Sequence, residues 1–364
     1  MMAETEDQSA RLRWSVYLVL MAVSVGDMTG RLLAVNSVDK IGLERRLGGR
    51  EQLQRPFLSA NDRSRWLTIR ALVEHGTYEI DAVVAEPNWD TIDMVQHRGR
   101  DGELHLYSSK PPLLATLLAG EYWLIHRVTG WTLGDHPYEI GRFMLFTVNV
   151  LPMLLMFVLV AYLAERFGTT DWGRIFVVAT ATCGTMLSTF AVVLNNHLLA
   201  AVSAAVAIWA YVRIDADGER RLKYFALAGL AAALTAADEL PALALLVLLG
   251  LMLLHKAPRE TLVGFVPAAA VVTAAFFVTN YISHNSLLPP YLHRSDGADS
   301  NWYEYTYTVN GQERQSYWLD PKGIDRGEPS KAVYALHVLV GHHGIFSLTP
   351  VWLLSMWGIG MWLR

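Results

Sequence analysis

The chain has 364 residues, 52% of them hydrophobic and only 18% charged, with a mean hydropathy of +0.25. Soluble globular domains carry about 25% charged residues, so this balance argues against one. A net charge of −4 with a pI near 6.3 gives no sign of a nucleic-acid partner, and the one cysteine, Cys183, excludes an intrachain disulfide.

The charges gather in loops and leave apolar runs close to the length that crosses a bilayer, about 20 residues. That pattern predicts an all-α polytopic membrane protein with about eight transmembrane helices and two large loops on its outer face. The first ten residues are polar and acidic and are expected to be disordered, outside the first helix. Arg11 and Arg13 precede the apolar run Trp14 to Val35, and basic residues there favour a cytoplasmic N-terminus. No convincing small-x-small cleavage site marks this run as a signal peptide.

From about Asn36 to Lys110 the chain is polar. Within it, Trp66, Ile69, Leu72 and Val73 fall on one helical stripe between Arg63 and His75, and Gly76 is placed to stop that helix. The spacing predicts a short surface helix with Asp62 near its N-terminus, where a carboxylate is favoured. No element is evident between Ile80 and Leu106. The run from Pro111 to Val128 is apolar but holds Glu121, His126 and Arg127. Loops at Glu165–Arg174, Asp215–Lys223 and His255–Glu260 carry Lys or Arg and are expected to be cytoplasmic. That alternation closes only if Pro111–Val128 lies along the outer interface instead of crossing.

Later spans are expected near Ile140–Leu163, Ile175–Leu194, Leu198–Val212, Leu222–Ala236, Leu240–Leu254, Leu262–Tyr281 and Ile345–Leu363. The organisation is thus a membrane module over 1–281 containing an outer loop at 36–139, a second outer loop at 282–341, and a terminal transmembrane helix in 342–364. In the second loop, Tyr303 to Val309 alternates, Asn310-Gly311 follows, and Gln312 to Trp318 continues. Asn-Gly between such runs predicts a two-residue β-hairpin, since both turn residues need positive φ. Val309 would face Gln312, and Tyr307 would face Arg314. The resulting aromatic row would either stack on a sugar ring or pack on the protein beneath.

Two pieces of the first loop carry a resemblance: Asp62-Arg63-Ser64-Arg65-Trp66, and Lys110-Pro111-Pro112-Leu113 at its end. With the topology of one span, a large outer loop and then a run of spans, they resemble the C-type (GT-C) membrane glycosyltransferases. The nearest group is the lipid A aminoarabinose transferases and protein O-mannosyltransferases. The resemblance implies an integral-membrane inverting glycosyltransferase that takes a sugar from a polyprenyl-phosphate donor. The acceptor would be a lipid, glycan or protein on the outer, periplasmic face of the inner membrane. It places Asp62 on the catalytic aspartate, Lys110 on the lysine that holds the donor phosphate and Arg65 on the arginine of an Arg-Tyr pair; by charge, Arg65 and Arg63 are further candidates for binding that phosphate. Trp66 stands in place of a tyrosine. Tyr107, Asn195, Asn196 and His197 are further candidates for contact with the sugar or acceptor.

The chemistry fits independently. An inverting transfer needs a base at the attacking hydroxyl. A phosphate leaves as a stable anion, so positive charge at the leaving group replaces the second, acid carboxylate of a glycoside hydrolase. Lys110 sits before Pro111, which keeps it out of helix and aims it where the chain meets the membrane. The plainer readings are that Asp62 caps a helix and that Lys110 snorkels at the interface. The chain departs from the family pattern at Arg63, usually Glu, at Ser109, which is acidic in the aminoarabinose enzymes, and at Asn195-Asn196, where some relatives carry an aspartate. Asparagine binds divalent metal weakly, so no cofactor is expected. The rival readings are a transporter and a non-catalytic membrane protein of the same fold. Against the first, no pair of related halves is visible.

Overall fold

The structure is a computed structural model that describes residues 2–35, 57–296, 300–328, 330–342 and 344–363. Part of the expected first outer loop, 36–56, lies outside the described residues. Helix α1 (Met2–Ala34) takes in the N-terminal residues expected to lie outside it. Helix α2 (Ala60–Arg70) and α3 (Pro112–Thr129) flank a hairpin of β1 (Met94–Arg98) and β2 (Leu104–Ser108). Helices α4 (Pro137–Phe167), α5 (Asp171–Val192) and α6 (Asn196–Asp215) follow, then α7 (Leu222–Asp238), α8 (Leu240–Lys256) and α9 (Pro258–His284). A second hairpin, β3 (Thr306–Val309) and β4 (Gln312–Gln315), precedes α10 (Lys331–Val340), α11 (Ile345–Leu348) and α12 (Val351–Trp362).

Among the described residues, five helices are long and apolar enough to cross a membrane, namely α1, α4, α5, α6 and α9. The count is six if the bent pair Lys331–Leu348 and Val351–Trp362 forms one span. Helices α7 and α8, both expected as spans, are shorter. The expected unbroken helix from Ile345 to Leu363 does not form. Pro350 removes a donor and pushes Thr349 off helical geometry, to φ −138° and ψ 71°, and the two arms meet at 89°. Residues 331–340, expected as loop, are helical.

The chain forms two compact units. The first comprises Met1–Met28, Phe157–Phe190 and Asp320–Arg364. Arg13 organises it: Nε and Nη2 donate to the two oxygens of Glu165 at 2.8 and 2.7 Å, and Nη1 donates to Asp171 at 2.6 Å. Tyr17 adds a hydroxyl to Glu165 at 2.7 Å. Ser24 donates to the carbonyl of Thr182, at 2.9 Å, fixing α1 against α5.

The second unit comprises Thr29–Met156 and Ala191–Leu319. Its helical core packs α7 against α6 and α9 through small residues, among them Ala207, Ala210, Ala228 and Ala232. At Gly229 a Cβ would come within 2.2 Å of the Phe265 carbonyl oxygen, so only glycine permits this approach of α7 and α9.

Helix α2 begins at Ser59, whose hydroxyl accepts from the Asp62 amide at 3.0 Å. Ser59, not Asp62, is therefore the cap. Gly76 closes the following turn at φ 71°, where expected. The expected surface helix is instead buried on all sides from Asp62 to Arg70. Its charges persist there because each is partnered: Arg70 binds Glu74 and Glu86, at 2.8 and 2.6 Å.

The hairpin at Asn310-Gly311 forms in the expected register, with Val309 opposite Gln312 and Tyr307 opposite Arg314. Asn310 and Gly311 take φ 52° and 73°, as a type I′ turn requires. Its aromatic row packs on the first hairpin: Tyr303 meets Val95 and Tyr107, and the Tyr305 hydroxyl donates to the Met94 carbonyl at 3.1 Å.

Candidate functional site

Helix α2 and the β1–β2 hairpin are locked together by Ser64, whose hydroxyl lies 2.7 Å from that of Ser108 and also bonds the Asp93 carbonyl. Register does the rest. Met94 pairs with Ser108, so Asp93 falls opposite Ser109, one residue before Lys110. The Ser109 hydroxyl donates to Asp93 Oδ1 at 3.2 Å, and Lys110 Nζ sits 3.1 Å from Asp93 Oδ2. Sequence reasoning missed Asp93. The strands that bring it there join through the five residues Gly99 to Glu103, without a two-residue turn signature to mark the hairpin.

Lys110 and Asp93 face a cavity of about 370 Å³. Arg65 and Asn61 enter it from α2, Asn196 and His197 from the start of α6, and Asp238 and Glu239 from the end of α7. The second loop contributes Tyr291, Arg294, Tyr303 and Trp318. The Arg294 guanidinium lies over the Trp318 ring at 4.2 Å. The lining thus combines cations, carboxylates and aromatic faces.

The cations are tethered. Arg65 donates through Nη1 to the Asn61 side chain and through Nη2 to that of Asn196. The Asn196 amide nitrogen in turn donates to the Asp238 carbonyl and to Glu239 Oε1, both at 2.7 Å. Burial lowers the pKa of Arg65, and the surrounding carboxylates of Asp62, Asp93, Asp238 and Glu239 oppose that. Burial likewise pulls Lys110 down, opposed by Asp93.

Of the expected site residues, the structure brings Lys110, Arg65, Asn196 and His197 to one cavity. It does not bring Asp62, Arg63, Trp66, Tyr107 or Asn195 into that lining. Asp62 is 1% exposed. Its Oδ1 accepts from Trp66 Nε1 and the Leu194 amide, each at 2.8 Å, and its Oδ2 accepts from the Leu58 amide at 3.2 Å. Burial nevertheless pushes its carboxyl up to about 7. Asp62 therefore pins α2 to the residues leading into α6. Arg63 donates to the carbonyls of Asp90 and Phe57, at 2.9 and 2.8 Å. Trp66 is fully buried and stacks on Phe57 at 4.6 Å. Asn195 caps α6, accepting from the Leu198 amide at 3.0 Å. Tyr107 stacks on His97 at 4.0 Å and lines a separate cavity of about 400 Å³ with Glu79 and His284.

Asp238 also borders an apolar groove of about 390 Å³. Leu113 and Leu117 of α3, Leu199 and Val202 of α6, and Leu230 and Leu234 of α7 form its walls. A charged chamber and an apolar trough thus meet at one residue. Among the described residues, no cluster of three or more His, Cys, Asp or Glu side chains could hold a metal ion. No protein-family model, no curated protein and no solved structure matches the chain, so the chemistry of this cavity rests on its own geometry.

Proposed function

We propose that the chain is an integral-membrane glycosyltransferase that moves a sugar, with inversion, from a polyprenyl-phosphate donor to a lipid, glycan or protein acceptor. The observation that carries this reading is the junction at Asp238 of a cavity holding Lys110 and Arg65 with a groove walled by leucine and valine. A lipid phosphate has the same division: charge at one end and a long apolar chain at the other. In this reading Lys110 and Arg65 meet the phosphate and stabilise the charge that develops as it leaves. Lys110 already stands beside Asp93, so a phosphate exchanges one anionic partner for another there. Tyr291, 38% exposed, offers a face on which a sugar ring stacks.

Asp62 has a positioning part here. Its two oxygens hold Trp66, Leu58 and Leu194, which sets Arg65 and Asn196 on facing elements. The reading also takes α7 and α8 as crossings, which with the bent C-terminal pair gives eight. It places the N-terminus in the cytoplasm and the cavity on the outer face of the inner membrane, following the Lys and Arg bias of the loops.

The test is transfer by the purified full-length chain in lipid nanodiscs, given a panel of polyprenyl-phosphate sugars and candidate acceptors. Product of inverted anomeric configuration is expected from at least one donor, and Lys110→Met should lower its rate about 100-fold or more. Absence of transfer from every donor, or equal rates for Lys110→Met and wild type, would contradict the reading.

A further inference from the structure

The transfer proposed above needs a group that takes the acceptor's proton, and Asp62 lies outside the cavity with both oxygens engaged. Asp93 is held by Lys110 and Ser109. The same cavity holds a different arrangement. His197, the second residue of α6, places Nδ1 in hydrogen-bond contact with Glu239 Oε1. A carboxylate only accepts, so Nδ1 carries the hydrogen, and in the neutral tautomer so oriented Nε2 is the nitrogen that takes up a further proton. Both side chains line the cavity, and both are partly exposed, His197 at 49% and Glu239 at 31%.

We propose that the Glu239–His197 pair is the general base of the transfer, with Glu239 orienting the imidazole. This inference rests on the transferase reading and assigns it a proton acceptor that the Asp62 expectation did not contain.

The pair is tethered by hydrogen bonds. Asn196 donates to the same Glu239 oxygen at 2.7 Å, and its own oxygen accepts from Arg65. One asparagine therefore ties the base to a cation on the leaving-group side. Asn195 caps the helix from which both Asn196 and His197 project. A base within reach of its substrate and oriented by a third group is the arrangement that activates a hydroxyl at neutral pH. The charged groups sharing the lining are Arg65, Asp93, Lys110, Asp238 and Arg294.

The step balances. The acceptor hydroxyl oxygen forms a bond to the anomeric carbon, and the bond from that carbon to the phosphate oxygen breaks, its electron pair leaving with the polyprenyl phosphate. The hydroxyl proton passes to Nε2 of His197. The imidazolium so formed keeps its Nδ1–H on Glu239 and later releases the proton to solvent.

The experiment compares the purified full-length wild type with His197→Gln, His197→Asn and Glu239→Gln in nanodiscs, measuring kcat, donor KM and the pH profile of transfer. His197→Asn retains an N–H toward Glu239 and serves as the variant least disturbing to the fold. Expected is a fall in kcat of about 100-fold or more for both His197 variants, donor KM within about twofold of wild type, and loss of the acidic limb of the pH profile. Wild-type kcat and an unchanged acidic limb in the folded His197 variants would overturn the assignment while leaving the transferase reading intact. A raised KM with unchanged kcat would also overturn it, since the pair would then only bind substrate. Absence of transfer by the wild type would overturn both.

Discussion

Two charged clusters, one in each unit, show what separates a structural ion pair from a candidate site. In the first unit, Arg13 spends three nitrogens on Glu165 and Asp171, and Tyr17 takes up a further lone pair of Glu165. The geometry is bidentate, and Arg13 is 7% exposed. In the second unit, Lys110 meets Asp93 through one 3.1 Å contact and faces a cavity with Arg65, Glu239 and Arg294 on its other walls. Both clusters join a mostly buried cation to a carboxylate. The second faces a cavity of about 370 Å³, where a ligand can compete for the cation. Burial of charge alone does not mark a site; burial beside empty volume does.

The largest effect should come from breaking the closed cluster. Arg13→Met removes the guanidinium that Glu165 and Asp171 share and should lower stability more than Lys110→Met does, measured by denaturant unfolding in detergent, without weakening lipid-phosphate binding by whatever protein remains folded. Lys110→Met should cost only roughly 1–2 kcal/mol, yet should impair transfer far more than Arg13→Met does in folded protein. Equal stability losses in the two variants would remove the distinction.

A subtler contrast concerns Asp62. Its folded pKa is raised from 3.8 to about 7 by burial, so the folded state binds its proton more tightly than the unfolded chain does. The resulting stabilisation is full below pH 3.8 and is lost as pH rises through about 7. Asp62→Asn should flatten that part of the stability profile between pH 4 and pH 7. A wild-type slope retained in the variant would assign it to other groups. The smallest effect is expected at Asn310→Ala, which places a Cβ-bearing residue without asparagine's tolerance at φ 52° and should cost about 1 kcal/mol, with transfer unchanged.

The sequence disclosed those features whose cause is local. Asn310-Gly311 determines its hairpin through φ alone, and Gly76 ends its helix for the same reason. Charge bias and loop order predict only that Lys110 lies on the outer face; that it shares a cavity with Asn196 and His197 is a tertiary feature. Features with distant causes stayed hidden. The first hairpin turns through five residues, Gly99 to Glu103, with no two-residue signature, so the opposition of Asp93 to Ser109 could not be read. The burial of Asp62 depends on the amide of Leu194, 132 residues away. The break at Pro350 was visible in the residue itself but was outweighed by the apolar run around it. Glu239 was legible as a carboxylate at a helix end, but its bond to His197 is set by the packing of α6 on α7.

The central claim is that the cavity at Lys110 and the groove ending at Asp238 receive one lipid phosphate. Binding of a sugar-free polyprenyl phosphate to the full-length chain in nanodiscs, measured with wild type and Lys110→Met, tests it most directly. The account predicts saturable binding by wild type, weakened about tenfold or more in Lys110→Met and not displaced by equimolar inorganic phosphate. Binding of equal strength in both proteins, or none in either, would contradict it.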